Sequence, residues 1–267
     1  MNVAMSTPVS RSGKNAIEVA SVAVKKAGEI LLANFGAIKQ VKRKSQGNLV
    51  TNADTLSEKL IIDFLKKEYP DFSILSEESH SSTLVNDYTW IVDPLDGTNN
   101  YTFGIPFFCV NIALVRDLDI LLGVTYDPVR EELFHAEVGK GAYLNGSLIR
   151  VATTNSLKDA LIGLDLGYSH ERGSQMLDVV NRLWGQVHCV RLMGSSSLGL
   201  AYVACGRISL YFHRYLFPWD IASGLLLVRE AGGEVVDWRG NRAGFKDIEV
   251  VASNPRLQSE FLHHFGQ

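Results

Sequence analysis

The chain has 267 residues, 46% hydrophobic and 21% charged, and its 26 basic and 29 acidic side chains leave a net charge of −3. That length allows one large domain or two fused lobes, and the charge balance offers no basic field for nucleic acid or an anionic membrane. Three scattered cysteines (Cys109, Cys189, Cys205) form no C-x-x-C, and no apolar leader or membrane-length apolar run occurs, so the expectation is a reduced, cytoplasmic, soluble protein without a disulfide framework or zinc knuckle.

In chain order, residues 1–14 are small and polar and read as a flexible tail. Ile17, Ala20, Val24, Ala27, Leu31 and Phe35 recur at three and four, which predicts an amphipathic helix from Asn15 to Phe35 stopped by Gly36. The polar segment "KRKSQGNLVTNAD" leads to a second helix, Thr55 to Tyr69, with Leu56, Leu60, Ile61, Phe64 and Leu65 as its buried face. Five strand-like runs follow: "FSIL", "YTWIV", "FFCVNIALV", "ILLGVTY" and "EELFHAEV". Their short connections predict an antiparallel sheet covered by the two helices. "GKGAYLNG" reads as a glycine-rich turn without the Walker spacing.

After Ala152 strands and helices alternate, with helices near Glu171–Leu183, Ser195–Ala204 and Asp220–Ala231 and a last one after Pro255. Alternation of this kind predicts a largely parallel sheet. The expected organisation is therefore a tail (1–14), an N-terminal α+β lobe (15–152) and a C-terminal α/β lobe (153–267).

The chemistry concentrates in acids at element ends. In "WIVDPLDGTNN" a strand ends at Asp93, Pro94 stops the ladder, and Asp96 precedes Gly97 and Thr98 at a helix start. Two carboxylates would then project beside unpaired helix N–H groups that suit a phosphate. Capping of a turn and a helix is the plainer alternative. "SILSEES" delivers Glu77 and Glu78 beyond another strand, and "FPWDIASG" opens a helix with Asp220. Alone, Glu77 is a solvated loop acid and Asp220 an N-terminal cap. Together, four carboxylates gathered at one place call for cations, and an all-oxygen set without a His or Cys cluster favours Mg²⁺.

"SEES", "WIVDPLDGTNN" and "WDIASGLLLVREAGG" resemble, in order and spacing, the three motifs of the inositol monophosphatase family, relatives of fructose-1,6-bisphosphatase. The likeness runs from about residue 16 to 265. It implies a layered αβαβα fold of the α+β class. It also implies a lithium-sensitive, homodimeric phosphomonoesterase with two or three Mg²⁺ per site, Mn²⁺ being a possible substitute. Carried over by motif, the metal ligands are Glu77, Asp93, Asp96, Asp220 and the Leu95 carbonyl. Thr98 would orient the attacking water under the control of Asp54, for which capping of its own helix is the other reading. Backbone N–H groups of Gly97 and Thr98 would hold the phosphate, and Lys44 would lie in the family's mobile basic loop.

Gly194, Ser195 and Ser196 in "RLMGSSSLGL" would face the substrate or simply cap their helix. Where inositol-selective members carry a glutamate, this chain has His213 followed by Arg214. Two basic groups there would suit a second phosphate, whereas a solvent-facing pair would not matter. The expected substrate is inositol monophosphate or a related sugar or polyol phosphate. Fructose-1,6-bisphosphate, 3′-phosphoadenosine 5′-phosphate and a non-catalytic binding role are the alternatives. Asp117-x-Asp119 superficially resembles aspartyl-phosphate phosphatases, but Leu121 occupies the threonine position and the segment reads as a hairpin turn.

Overall fold

The computed structural model describes residues 7–37, 41–45, 48–79 and 87–266, with the backbone alone for 41–45 and 48. The elements run α1 (Ala16–Asn34), β1 (Val41–Ser45), β2 (Asn48–Thr51), α2 (Asn52–Glu68), β3 (Ser73–Ser76), β4 (Tyr88–Asp96), α3 (Thr98–Thr102), β5 (Cys109–Arg116), β6 (Asp119–Asp127), β7 (Glu132–Glu137), β8 (Gly141–Leu144) and β9 (Ser147–Leu148). The second half adds β10 (Leu161–Leu164), α4 (His170–Leu183), β11 (Cys189–Leu192), α5 (Ser196–Ala204), β12 (Leu210–Arg214), α6 (Pro218–Glu230), β13 (Glu234–Val236), β14 (Glu249–Ser253) and α7 (Pro255–Phe265).

Among the described residues two large sheets and three helix layers alternate as αβαβα, and β1 and β2 form a separate two-stranded antiparallel ribbon. Strands β3 to β9 form a seven-stranded sheet in sequence order, and the second sheet has the order β11-β10-β12-β14-β13. Three apolar cores fill the gaps between layers. One joins α1 and α2 to Trp90, Val92, Ile112 and Leu114 of the first sheet. The opposite face of that sheet, with Ile91 and Ala113, packs on α5 and α6, which also meet Tyr211 and Val250 of the second sheet. The outer face of the second sheet, with Ile162, Phe212 and Val251, is closed by α4 and α7. Strand β4 is apolar along its first half without alternation because both faces are covered. For the same reason α5 and α6, held between two sheets, are apolar nearly all round.

Several expectations are corrected. Residues 8–14 are tied down, not free: Ser12 Oγ donates to Glu68 (2.7 Å), Tyr69 donates to the Pro8 carbonyl, and Arg11 N–H donates to the Glu68 carbonyl. Residues 1–6 and the Lys44 side chain lie outside the described residues. The buried face of α2 runs through Ala53, Asp54, Ser57, Ile61 and Leu65, while Leu56 is exposed. The helix is rotated toward β4, where Ser57 Oγ donates to the Pro94 carbonyl. The glycine-rich segment forms β8 and its turn, so the sheet has seven strands, and β3 runs parallel to β4. In the second sheet β11, β10 and β12 are parallel, but β14 is antiparallel to both β12 and β13. No helix intervenes between β13 and β14 to make the crossover that a parallel pair needs. Asp117 and Asp119 sit at the exposed tip of the β5–β6 hairpin, as expected of a turn.

Candidate active site

The end of β4 is where the two acids are brought to one side. In an uninterrupted strand residues three apart face opposite ways. Here the β4–β5 register shifts between Asp93, opposite Asn111, and Asp96, opposite Cys109, so β4 carries one extra residue. Pro94 has no N–H to give the ladder, and the resulting bulge turns Asp96 toward the side of Asp93. Leu95 N–H then donates to Asp93 Oδ1 (3.0 Å), fixing the bend. Gly97 follows in the left-handed region (φ 91°), and a β-carbon there would lie 3.0 Å from the Phe107 carbonyl and 3.1 Å from that of Gly194.

Asp220 arrives from the first turn of α6. It reaches back to accept from Phe217 N–H (2.7 Å), which is a capping contact. The capping contact does not keep Asp220 from the other acids, because the same carboxylate also meets those of β4. Oxygens of Asp93, Asp96 and Asp220 lie within 4.8 Å of one another, and among the described residues this is the acidic or His/Cys cluster able to hold a metal. Glu77 lines the same cavity without joining that tightest triad.

The electrostatics are those of crowded anions. Burial, then Glu77, Asp96 and Asp220, pushes the Asp93 carboxyl well above its ordinary range. Asp220 is raised by burial and then by Asp96 and Glu77. Burial also raises Asp96, opposed by hydrogen bonds to its Oδ2 from Ser195 Oγ (2.6 Å) and Ser197 N–H (2.7 Å) at the start of α5. Among the described residues, no Lys or Arg lines the cavity of about 310 Å³. Divalent cations with oxygen ligands fit this donor set, because they would offset several buried carboxylates.

The structure brings Thr98 and Asp54 together. Thr98 Oγ1 has one proton and two acceptors, Asp54 Oδ1 (3.2 Å) and the Leu95 carbonyl (3.0 Å). Asp54 also accepts from Thr51 N–H and Oγ1 through its other oxygen, so it caps α2 and reaches the site at once. Burial raises its pKa, opposed by those bonds from Thr51.

The second half of the chain supplies the opposite wall. Gly194, Ser195, Ser196 and His213 all line the cavity. Several of their polar groups are engaged with one another or with acids, Gly194 N–H with Asp165, Ser195 with Asp96, and Ser196 Oγ with His213 Nδ1 (3.1 Å), while the buried His213 Nε2 has no hydrogen-bond partner among the described residues. Arg214 is not brought in. Neighbouring residues on a strand face opposite ways, and Arg214 lies over Trp238 (4.1 Å to the ring centroid) and pairs with Glu249 (3.5 Å). His213 is 6% exposed, and burial pulls its pKa down to about 3, so it is neutral at pH 7. The expected pair of cations is therefore corrected to one neutral imidazole.

Sequence reasoning missed Asp165, which lines the cavity and accepts from Gly194 N–H and Tyr211 Oη (2.8 Å). Burial raises its pKa to about 7. The signal was present, since "LIGLD" ends an apolar strand in an acid just as "WIVD" does. It also missed the aromatic rim of Tyr168, Tyr215, Phe217 and Trp219, the last two stacked at 5.1 Å.

A model described as the inositol monophosphatase family matches residues 14–267. Inositol monophosphatase 2 of Solanum lycopersicum is 38% identical, with 94% of this chain and 98% of that protein covered. Nus factor SuhB of Xylella fastidiosa is 39% identical, covering 91% and 92%. The crystal structure of the extragenic suppressor protein suhB from Bartonella henselae superposes with a TM-score of 0.88 at 36% identity, covering 93% of this chain and 97% of that one.

Proposed function

The chain belongs to the inositol monophosphatase family and is a phosphatase acting on a phosphorylated small molecule; from that premise we propose that Mg²⁺, two or three ions per site, is its cofactor and that Mn²⁺ can substitute. The observation that carries this reading is the triad of carboxylate oxygens within 4.8 Å beside the Thr98–Asp54 pair. Asp93, Asp96, Asp220, Glu77 and the Leu95 carbonyl would hold the ions. Bound divalent cations supply Lewis acidity, acidifying water and offsetting charge on phosphoryl oxygens.

The protein's own groups do the rest. With its proton given to Asp54 Oδ1 or the Leu95 carbonyl, Thr98 Oγ1 presents lone pairs that accept from a water and orient it for in-line attack. Gly97 and Thr98 N–H groups, freed by the left-handed turn at Gly97, would bind the phosphate. Gly194, Ser195 and Ser196 shape the opposite wall and, through Ser195, hold Asp96. Most of the acids come from the proposed N-terminal lobe (15–152), and Asp220 comes from the C-terminal lobe (153–267).

For the non-phosphate half of the substrate, a neutral His213 and the absence of Arg214 from the cavity favour a hydroxylated monophosphate such as inositol monophosphate over a bisphosphate. Lithium inhibition, a homodimer and a cytoplasmic setting complete the proposal. Residues 109–115 of β5 are buried within the fold and offer no dimer face. Among the described residues no helix is long and apolar enough to cross a membrane. Phosphate release from a panel of mono- and bisphosphates, with and without Mg²⁺, tests the reading. Full activity in excess EDTA, with metal content verified as nil, would overturn it.

A further inference from the structure

Three uncharged polar side chains are buried between the first sheet and α6, where apolar contacts would otherwise suffice. Asn111 and Thr125 stand side by side on β5 and β6, in the same cross-strand row as Asp93. Asn111 is 2% exposed, and Thr125 and Ser223 are fully buried. Asn111 Nδ2 donates to the Trp219 carbonyl (2.7 Å), and Thr125 Oγ1 donates to Asn111 Oδ1 (2.7 Å). Thr125 and Ser223 hydroxyls are 3.0 Å apart. A hydroxyl has one proton, and that of Thr125 goes to Asn111, so Ser223 is the donor to Thr125.

The bonds form a closed circuit that leaves α6 at Ser223, crosses two strands, and returns to α6 at Trp219, the residue before Asp220. Beneath it α6 lies against β6: a β-carbon on Gly123 would be 2.7 Å from Ser223 Cα. Apolar packing is non-directional and would let a helix slide or turn on a sheet. Directional bonds to a carbonyl in its first turn do not.

We propose that Asn111, Thr125 and Ser223 are positioning residues that hold Asp220 in register with Asp93 and Asp96, and thereby set how tightly the site binds divalent cations. None of the three lines the cavity. The proposal rests on the reading of the acids as cation ligands. Partners that orient ligands commonly contribute about ten- to a hundredfold to metal affinity.

The test is titration of the full-length protein with Mn²⁺, without substrate, following the free-ion electron paramagnetic resonance signal. Asn111→Leu, close in shape, is expected to raise Kd by about ten- to a hundredfold. Thr125→Val keeps the volume but breaks the circuit, and should raise Kd by about tenfold, whereas Thr125→Ser keeps the hydroxyl and should stay within about twofold of the parent. A packing role predicts the reverse order, since Ser leaves a void and Val does not. Asp220→Asn serves as the reference for a lost ligand. If the parent does not bind Mn²⁺, the reading of the acids fails and the clamp with it. If the parent binds, Asp220→Asn weakens binding, and the folded Thr125→Val variant keeps the parental Kd, the clamp alone is refuted. Should Asn111→Leu fail to fold, the two Thr125 variants decide the matter.

Discussion

Asp96→Asn should move stability and activity in opposite directions. Asp96 Oδ2 is occupied by Ser195 Oγ (2.6 Å) and Ser197 N–H (2.7 Å). An asparagine can place its amide oxygen there, which aims the NH₂ group at Asp93 and Asp220, whose oxygens cluster within 4.8 Å. A charge is removed, and a donor replaces it. Two unit charges at that separation repel by about 3 kcal/mol at an effective dielectric of about 20. Burial raises all three acids, and repulsion raises Asp93 and Asp220 further, which lessens the charge there is to relieve, so a net gain of about 1–2 kcal/mol is expected. In EDTA this should raise Tm by about 2–6 °C for a chain of this size. With saturating Mg²⁺ the variant lacks one ligand charge, and kcat should fall at least about a hundredfold, or about 2.7 kcal/mol. Differential scanning fluorimetry in EDTA and phosphate release at saturating Mg²⁺ read the two effects. A lowered Tm in EDTA, or kcat within tenfold of the parent, would refute the picture of a repelling ligand cluster.

His213 makes folding sensitive to acid. The unfolded imidazole takes a proton near 6.5 and the buried one only near 3, so this residue's contribution is complete above about 6.5 and is lost as pH falls toward 3. His213→Gln should flatten the stability profile relative to the parent by about 2–3 kcal/mol between pH 6.5 and 4.5, read by urea unfolding; parallel profiles would show that the imidazole protonates freely in the fold. Arg214→Gln removes the stack on Trp238 and the pair with Glu249, and should lower stability by about 1 kcal/mol. Its ratio of kcat/KM for inositol 1-phosphate over fructose-1,6-bisphosphate should stay within twofold, and a large shift would put the guanidinium in the substrate cavity after all.

The sequence by itself determined the elements and the acids. Helices α1, α4, α5, α6 and α7 are legible because apolar spacing, Asn15, Ser169 and Ser195 as caps, and Pro218 and Pro255 in first turns are local signals. Each of Glu77, Asp93, Asp96 and Asp220 has a plain structural use alone, but they are legible together because all stand at element ends and their spacing carries the family resemblance. Tertiary structure decided what those residues meet. The bulge after Asp93 is a matter of pairing with β5, not of β4 alone, and it turns Asp96 toward the side of Asp93. Strand direction at β14 and the rotation of α2 depended on partners far along the chain. The charge of His213 and the exclusion of Arg214 turned on burial and on which face of β12 each side chain takes. Neighbouring letters in "HRYLF" carry no record of that alternation until the strand has a sheet and a cavity on either side. The Asn111–Thr125–Ser223 circuit is further still from local pattern, for it joins two strands to a helix about a hundred residues away through contacts between single atoms.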